Sequence, residues 1–198
     1  MRHRSIPPQR GFFPQPTYLI GSFREDGEPN FTLITWITFC SANPPTLMFA
    51  SSERKLTPQC VLRTGVFSAN LVSADMLSVA DYCGNTSGFS TSKCADTGVS
   101  WFRGGVLDVP VLSESPWVFE CALVKTVRYV DNTVFFGEVK NILVDERIAD
   151  PGYGRVNMED LNPLVYAPVH YYSLGPRVGS VGDSKGVFPV GSTRRRPA

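Results

Sequence analysis

A chain of 198 residues with 42% apolar content can bury a complete core without disulfide or metal staples, and its length is that of one domain. Its 19 basic and 18 acidic residues leave a formal charge of +1, too weak a field to gather nucleic acid or an anionic membrane. No uninterrupted apolar run approaches the roughly 20 residues of a membrane-spanning helix. The five cysteines, Cys40, Cys60, Cys83, Cys94 and Cys121, are odd in number and form neither a CxxC pair nor a zinc-knuckle spacing, so they read as reduced thiols of a cytoplasmic protein.

The first segment, Met1 to Gln15, carries Pro7, Pro8 and Pro14 where a signal peptide needs an apolar stretch, and reads as an N-terminal arm, residues 1–15. Tyr18 to Phe23 is rich in strand formers and runs into Asp26-Gly27, a strong hairpin signal. The return strand is expected over Phe31 to Phe39, where Thr32, Ile34, Thr35, Trp36, Ile37 and Thr38 suit a pleated, half-buried surface. Asn43-Pro44-Pro45 ends it, and Thr46 to Ala50 forms the next strand. Thr57 followed by Pro58 has the form of a helix cap and first helical position, with Gly65 as the stop. Val66 to Val72 is a further strand, and Ser73 caps a second helix through Met76, Val79 and Tyr82 that Gly84 ends. Asn85 to Gly105 shows no period and reads as a covering or functional loop. Val118 to Val130 and Thr133 to Val144, joined at Asp131-Asn132, are long enough to wall a barrel. Many strands without βαβ alternation give a mainly β, antiparallel barrel with a few short helices. The domain is expected over residues 16–175, followed by a tail at 176–198 whose basic end, Arg194-Arg195-Arg196-Pro197-Ala198, reads as frayed.

Chemistry has one physically motivated place, Ser51-Ser52-Glu53-Arg54-Lys55-Leu56-Thr57-Pro58, where a strand end, a polar loop and a helix start coincide. Free N–H groups and the positive end of the helix dipole, joined by hydroxyls and Arg54, make a cradle for a phosphorylated cofactor. The same residues also fit a plain cap at Thr57 with Arg54 solvated. There is no GxGxxG opening a helix and no GxxxxGK[ST], which excludes the dinucleotide fingerprint and the P-loop. His3 and His170 are the two histidines, too few for histidine-based metal sites or triads, so no metal is expected. A cysteine nucleophile paired with His170 is a minor alternative beside the reading of cysteine as a small buried hydrophobe. If the chain is an enzyme, a cofactor carries the chemistry.

Five segments together resemble the flavin reductase-like FMN-binding split barrels. They are Leu19-Ile20-Gly21-Ser22 with Asp26-Gly27-Glu28-Pro29-Asn30-Phe31; Thr35-Trp36; Thr57 ahead of its helix; Gly65-Val66-Phe67-Ser68-Ala69-Asn70-Leu71; and Phe136-Gly137-Glu138-Val139. Asn162-Pro163-Leu164-Val165-Tyr166 and Tyr171-Tyr172-Ser173-Leu174-Gly175 extend the similarity. The resemblance implies a split β-barrel, a homodimer, and FMN in a groove at the dimer interface. Asn30, Thr35 and Trp36 would line the flavin and ribityl chain, Ser51, Arg54 and Thr57 would hold the phosphate, and Lys93 would bring a positive charge to the reduced flavin or the phosphate. Beside those roles stand ordinary ones: Trp36 as core, Asn30 as a turn residue, Lys93 as a solvated loop lysine. Many relatives carry Asp-His where this chain has Asp131-Asn132, and asparagine cannot become cationic near neutral pH.

The resemblance therefore implies an oxidoreductase that moves electrons from NAD(P)H or a redox partner through FMN to free flavin, a ferric complex or a protein, with no catalytic side chain assigned. A non-catalytic FMN carrier is the competing reading. A pyridoxamine-phosphate-oxidase-like enzyme, which shares the barrel, is a weaker third.

Overall fold

The computed structural model describes residues 2–10 and 14–186; the basic C-terminal end lies outside the described residues. A short β1 (Gln15–Pro16) leads into a hairpin of β2 (Tyr18–Phe23) and β3 (Pro29–Ile34), turned at Asp26-Gly27 as expected. Next come β4 (Ile37–Ala42), β5 (Pro45–Ser51), α1 (Leu56–Thr64) and β6 (Val66–Leu71). A 3-10 turn at Ala74–Met76 runs into α2 (Leu77–Asn85). Then follow α3 (Lys93–Thr97), β7 (Trp101–Arg103), β8 (Pro110–Leu112), and the long hairpin β9 (Trp117–Tyr129) and β10 (Asn132–Val144). The chain ends its regular part with α4 (Met158–Leu161), β11 (Leu164–Ala167) and β12 (His170–Ser173).

The main sheet has seven strands in the order β3-β2-β6-β9-β10-β5-β4, every neighbouring pair antiparallel. Its two edge strands, β3 and β4, are consecutive in sequence, so Thr35-Trp36 carry the chain from one edge of the curled sheet to the other. That crossing corrects the single strand expected over Phe31 to Phe39. Every residue there has strand-forming chemistry, but the sheet closes on itself at this point, and closure is a property of the whole barrel. The expected mainly β, antiparallel split barrel is the observed fold, with Thr35-Trp36 at its seam.

Inside the barrel Phe49 stacks on Phe135 at 4.8 Å and meets Phe67 edge-on, among Ile20, Leu47, Val61 and Phe119. Leu19, Phe31, Val72, Met76 and Ala80 form a second core outside it, beneath α2. The strands β2, β3 and β6 are thus covered on both faces, which is why their residues are buried almost without alternation. Gly137 lies at a register shift between β9 and β10, and a Cβ there would come within 2.3 Å of the Phe67 ring; only glycine lets that ring reach the wall. Ser68 donates to the Pro110 carbonyl. Asn70 donates to the Leu19 carbonyl at 2.9 Å and accepts from the Leu112 N–H at 2.9 Å. These polar members of the Gly65–Leu71 segment therefore bind β6 to its neighbours.

The helices differ in detail from expectation. Gly65 ends α1 in the left-handed region at φ 73, as its position predicts. Thr57 is not the cap, because Lys55 takes that place in extended backbone while Thr57 sits within the first turn. Ser73 makes no side-chain cap, and Gly84 lies inside α2, which continues to Asn85. Gly84 is packed against Leu33, whose side chain would lie 3.2 Å from an added Cβ. The stretch expected to be an irregular loop, Asn85 to Gly105, contains α3 and β7.

Candidate functional site

A cavity of about 710 Å³ opens at the seam, within the range of about 300–1,000 Å³ usual for small-molecule and cofactor sites. Its walls are Leu33 to Trp36, Ala50 to Ser52, Gly84 and Asn85 at the end of α2, and Tyr166, Pro168, Val169 and Tyr171 of the β11–β12 hairpin. Gln9, Arg10 and Gln15 of the N-terminal arm, with Lys55 and Asn132, complete it. A larger hollow of about 920 Å³ lies among Tyr18, Phe39, Trp117, Phe119, Tyr153 and Met158, but no charged side chain lines it among the described residues. Convergent polar groups, rather than volume, mark the first as the site.

Three of the residues singled out from sequence meet in the cavity: Thr35, Trp36 and Ser51. Trp36 is 45% exposed, which removes the reading of it as core. Its backbone is fixed, since the Ala50 N–H donates to the Trp36 carbonyl at 2.9 Å, while its ring is left to the cavity. Ser51 ends β5 and is 5% exposed, yet its hydroxyl has no hydrogen-bond partner among the described residues. An unpaired buried hydroxyl costs about 1–3 kcal/mol, and Ser51 stands on the cavity wall. Beside Ser51, α1 begins without a side-chain cap and without an acid in its first turn, leaving its N–H groups and positive dipole end open to an anion. Lys55 stands at that helix start and lines the cavity too.

The other four are placed differently. Asn30 and Thr57 are buried and joined, the Asn30 amide donating to the Thr57 hydroxyl at 2.5 Å. That bond clips β3 to the start of α1; it also replaces the reading of Asn30 as a turn residue. Arg54 is exposed, its backbone N–H directed to the Ser52 hydroxyl at 3.4 Å, and it does not line the cavity. Lys93 is 3% exposed, so it is no solvated loop lysine. Its ammonium donates to the carbonyls of Phe31 and Cys83, both at 2.8 Å, and it too is absent from the cavity wall. Burial lowers its pKa from the ordinary lysine value. Its bonds tie α2 and α3 to the strand that carries Asn30.

Tyr166, Tyr171, Asn85, Lys55, Gln9 and Arg10 also line the cavity, without having been singled out as site residues. Tyr166 and Tyr171 stood in the C-terminal pattern of the resemblance, and two tyrosines around a tight hairpin were the signal available. Tyr171 donates to Asp81 at 2.9 Å; burial first, and then that bond, push its phenol up to about 12, so it stays neutral across the physiological range. Asn132 lines the cavity as well, its amide donating to Asp131 at 2.9 Å. Four of the five cysteines are poorly placed as nucleophiles. Burial pushes the Cys83 thiol up to about 11 and Cys94 up to about 12, and raises Cys60 and Cys121. His170 sits exposed in β12 with its ring edge-on to Tyr172.

The sequence profile of the flavin reductase like domain matches residues 10–175. An uncharacterized protein of Aeropyrum pernix is 30% identical over 153 residues, 73% of this chain and 57% of that protein, so the chain spans little more than half the length of this relative. Among solved structures, the flavoredoxin of Desulfovibrio vulgaris (Miyazaki F) is similar at a TM-score of 0.85 and 25% identity, covering 92% of this chain and 99% of that one. An FMN-binding protein from Thermus thermophilus shares the fold at a TM-score of 0.75 and 23% identity, over 91% of this chain and 99% of that one.

Proposed function

The chain belongs to the flavin reductase-like family, and from that premise we propose that the seam cavity holds FMN and that the protein is a cytoplasmic, homodimeric oxidoreductase moving electrons from NAD(P)H or a redox partner to an acceptor. The observation that carries this reading is the uncapped start of α1 with Lys55 on the cavity wall, beside Ser51, whose buried hydroxyl has no partner among the described residues. Ser51, Lys55 and the first N–H groups of α1 would hold the phosphate, Thr35 and Trp36 would line the ribityl chain and ring, and Arg54 would screen the phosphate from outside. Asn30 and Thr57 would keep the two walls in register through their mutual bond. Lys93 would act at one remove, by fixing the strand that presents Asn30. Bound FMN would supply the capacity to take up and release electrons; the chain's own groups position it and exclude water. The dimer and the donor rest on the family resemblance.

The test is direct. Purified protein is expected to be yellow, or to quench added FMN to a stoichiometric endpoint, and to oxidise NADH or NADPH in the presence of free flavin or a ferric complex. Colourless protein indifferent to FMN would remove the proposal. A second reading, a non-catalytic FMN carrier, draws on Asn132, which lines the cavity where many relatives carry histidine. It predicts the same yellow protein without turnover.

A further inference from the structure

Two valines of this chain stand where glycine is the usual residue. Val130 (φ 54) opens the two-residue turn between β9 and β10, and Val169 (φ 64) closes the two-residue turn between β11 and β12. Among the described residues the other positive φ values belong to glycines and Asn162. In the left-handed region a branched Cβ crowds the backbone, so a valine there is strained. Packing explains neither, because Val130 is 77% and Val169 80% exposed.

The two differ in their surroundings. Val169 lines the seam cavity together with Pro168, Tyr166 and Tyr171, whereas Val130 is not on its wall. The Val169 N–H donates to the Tyr166 hydroxyl at 3.1 Å, Tyr166 meets Tyr171 edge-on at 5.6 Å, and Tyr171 is tied to Asp81 of α2. Neighbours thus hold the turn in its strained form, which is how such conformations persist at binding sites. An exposed apolar side chain and a strained turn both disfavour the empty protein, and a ligand lying in the cavity would cover the first.

We infer that Val169 is a positioning residue that retains the cofactor: its side chain forms the rim of the cavity over bound FMN and slows the flavin's escape, and the strained turn is kept for that task. The inference rests on the FMN reading above.

The experiment uses the full chain, with FMN release followed by flavin fluorescence after dilution and the melting temperature measured without FMN. Val169→Gly relieves the strain and removes the side chain. It is expected to raise the melting temperature by about 2 °C and to speed FMN release about fivefold, the scale of one partly buried valine. The two effects have opposite signs, which a purely structural role does not produce. Val169→Asn, which suits the same φ without glycine's freedom, should act in the same way. Val130→Gly should also raise the melting temperature, but change release by less than about twofold. Unchanged release in Val169→Gly or in Val169→Asn overturns the inference. So does a fall in melting temperature in Val169→Gly, which would deny the strain, or equal acceleration by Val130→Gly, which would assign the effect to loosened hairpins. Unaltered protein that takes up no FMN overturns the cofactor reading instead, and the inference with it; that failure is read from the absorbance before any rate is measured.

Discussion

Two buried polar corners of this barrel are opposites. Glu120, fully buried on β9, has both carboxylate oxygens occupied: it accepts from the N–H groups of Gly105, Val106 and Leu107 at 2.6–2.9 Å and from the Asn141 amide at 2.8 Å. Ser51, nearly as buried on β5, has a hydroxyl with none. A satisfied buried group holds a fold together, whereas an unsatisfied one beside a cavity weakens the empty protein and favours whatever supplies its missing partner. Charge and burial alone would have ranked Glu120 as the functional residue. Its hydrogen bonds say that it is a clamp on the loop before β8.

This contrast can be broken by substitution. Glu120→Ala should have the largest effect, a loss of about 3 kcal/mol or more in urea unfolding, because four donors lose their acceptor at once. The same corner has a pH signature. Burial pushes its carboxyl upward, but the donors from Leu107, Asn141, Val106 and Gly105 outweigh it and hold the pKa below the ordinary 4.5. A carboxyl lowered on folding contributes stability that is complete above its unfolded value and is lost as pH falls through the folded value. The urea midpoint should therefore drop on acidification below about pH 4.5 more steeply in the unaltered protein than in Glu120→Gln. Lys93→Met comes next, at about 2 kcal/mol, since it strands two buried carbonyls. FMN affinity measured at a temperature where both proteins are folded should change far less than stability. A selective loss of affinity would instead put the ammonium on the cofactor. Ser51→Ala should be the mildest for the fold, stabilising the empty protein by about 1 kcal/mol because a buried hydroxyl without a partner is removed, and should weaken FMN about tenfold, the scale of one hydrogen bond to a charged group. A large drop in melting temperature with unchanged FMN affinity would show that Ser51 belongs with Glu120 after all.

What could be read from the sequence divides along the same line. Local signals were legible: Asp26-Gly27 turned its hairpin, Gly65 stopped its helix, and β9 and β10 ran nearly where strand-forming residues placed them. The Ser51–Pro58 region was recognisable because a strand end, hydroxyls and a helix start lie within eight consecutive residues. Hidden were the features set by distant partners. Thr57 looks like a free hydroxyl until Asn30, 27 residues away, donates to it. Lys93 looks solvated until the carbonyls of Phe31 and Cys83 close over it. The place of Gln15 on the cavity wall depends on β1 pairing with β11 across most of the chain, a contact without a local trace.

The seam also bears on how such a barrel can change its chemistry. Thr35 and Trp36 lie between the paired residues of β3 and β4, outside the sheet's ladder, although the Trp36 backbone is pinned to Ala50. Their side chains therefore face the site from a rigid main chain without owing anything to strand register. Exchanging them should alter what is bound while leaving the barrel's pairing untouched, so the crossing is a place where new activities can be sampled at little risk to folding.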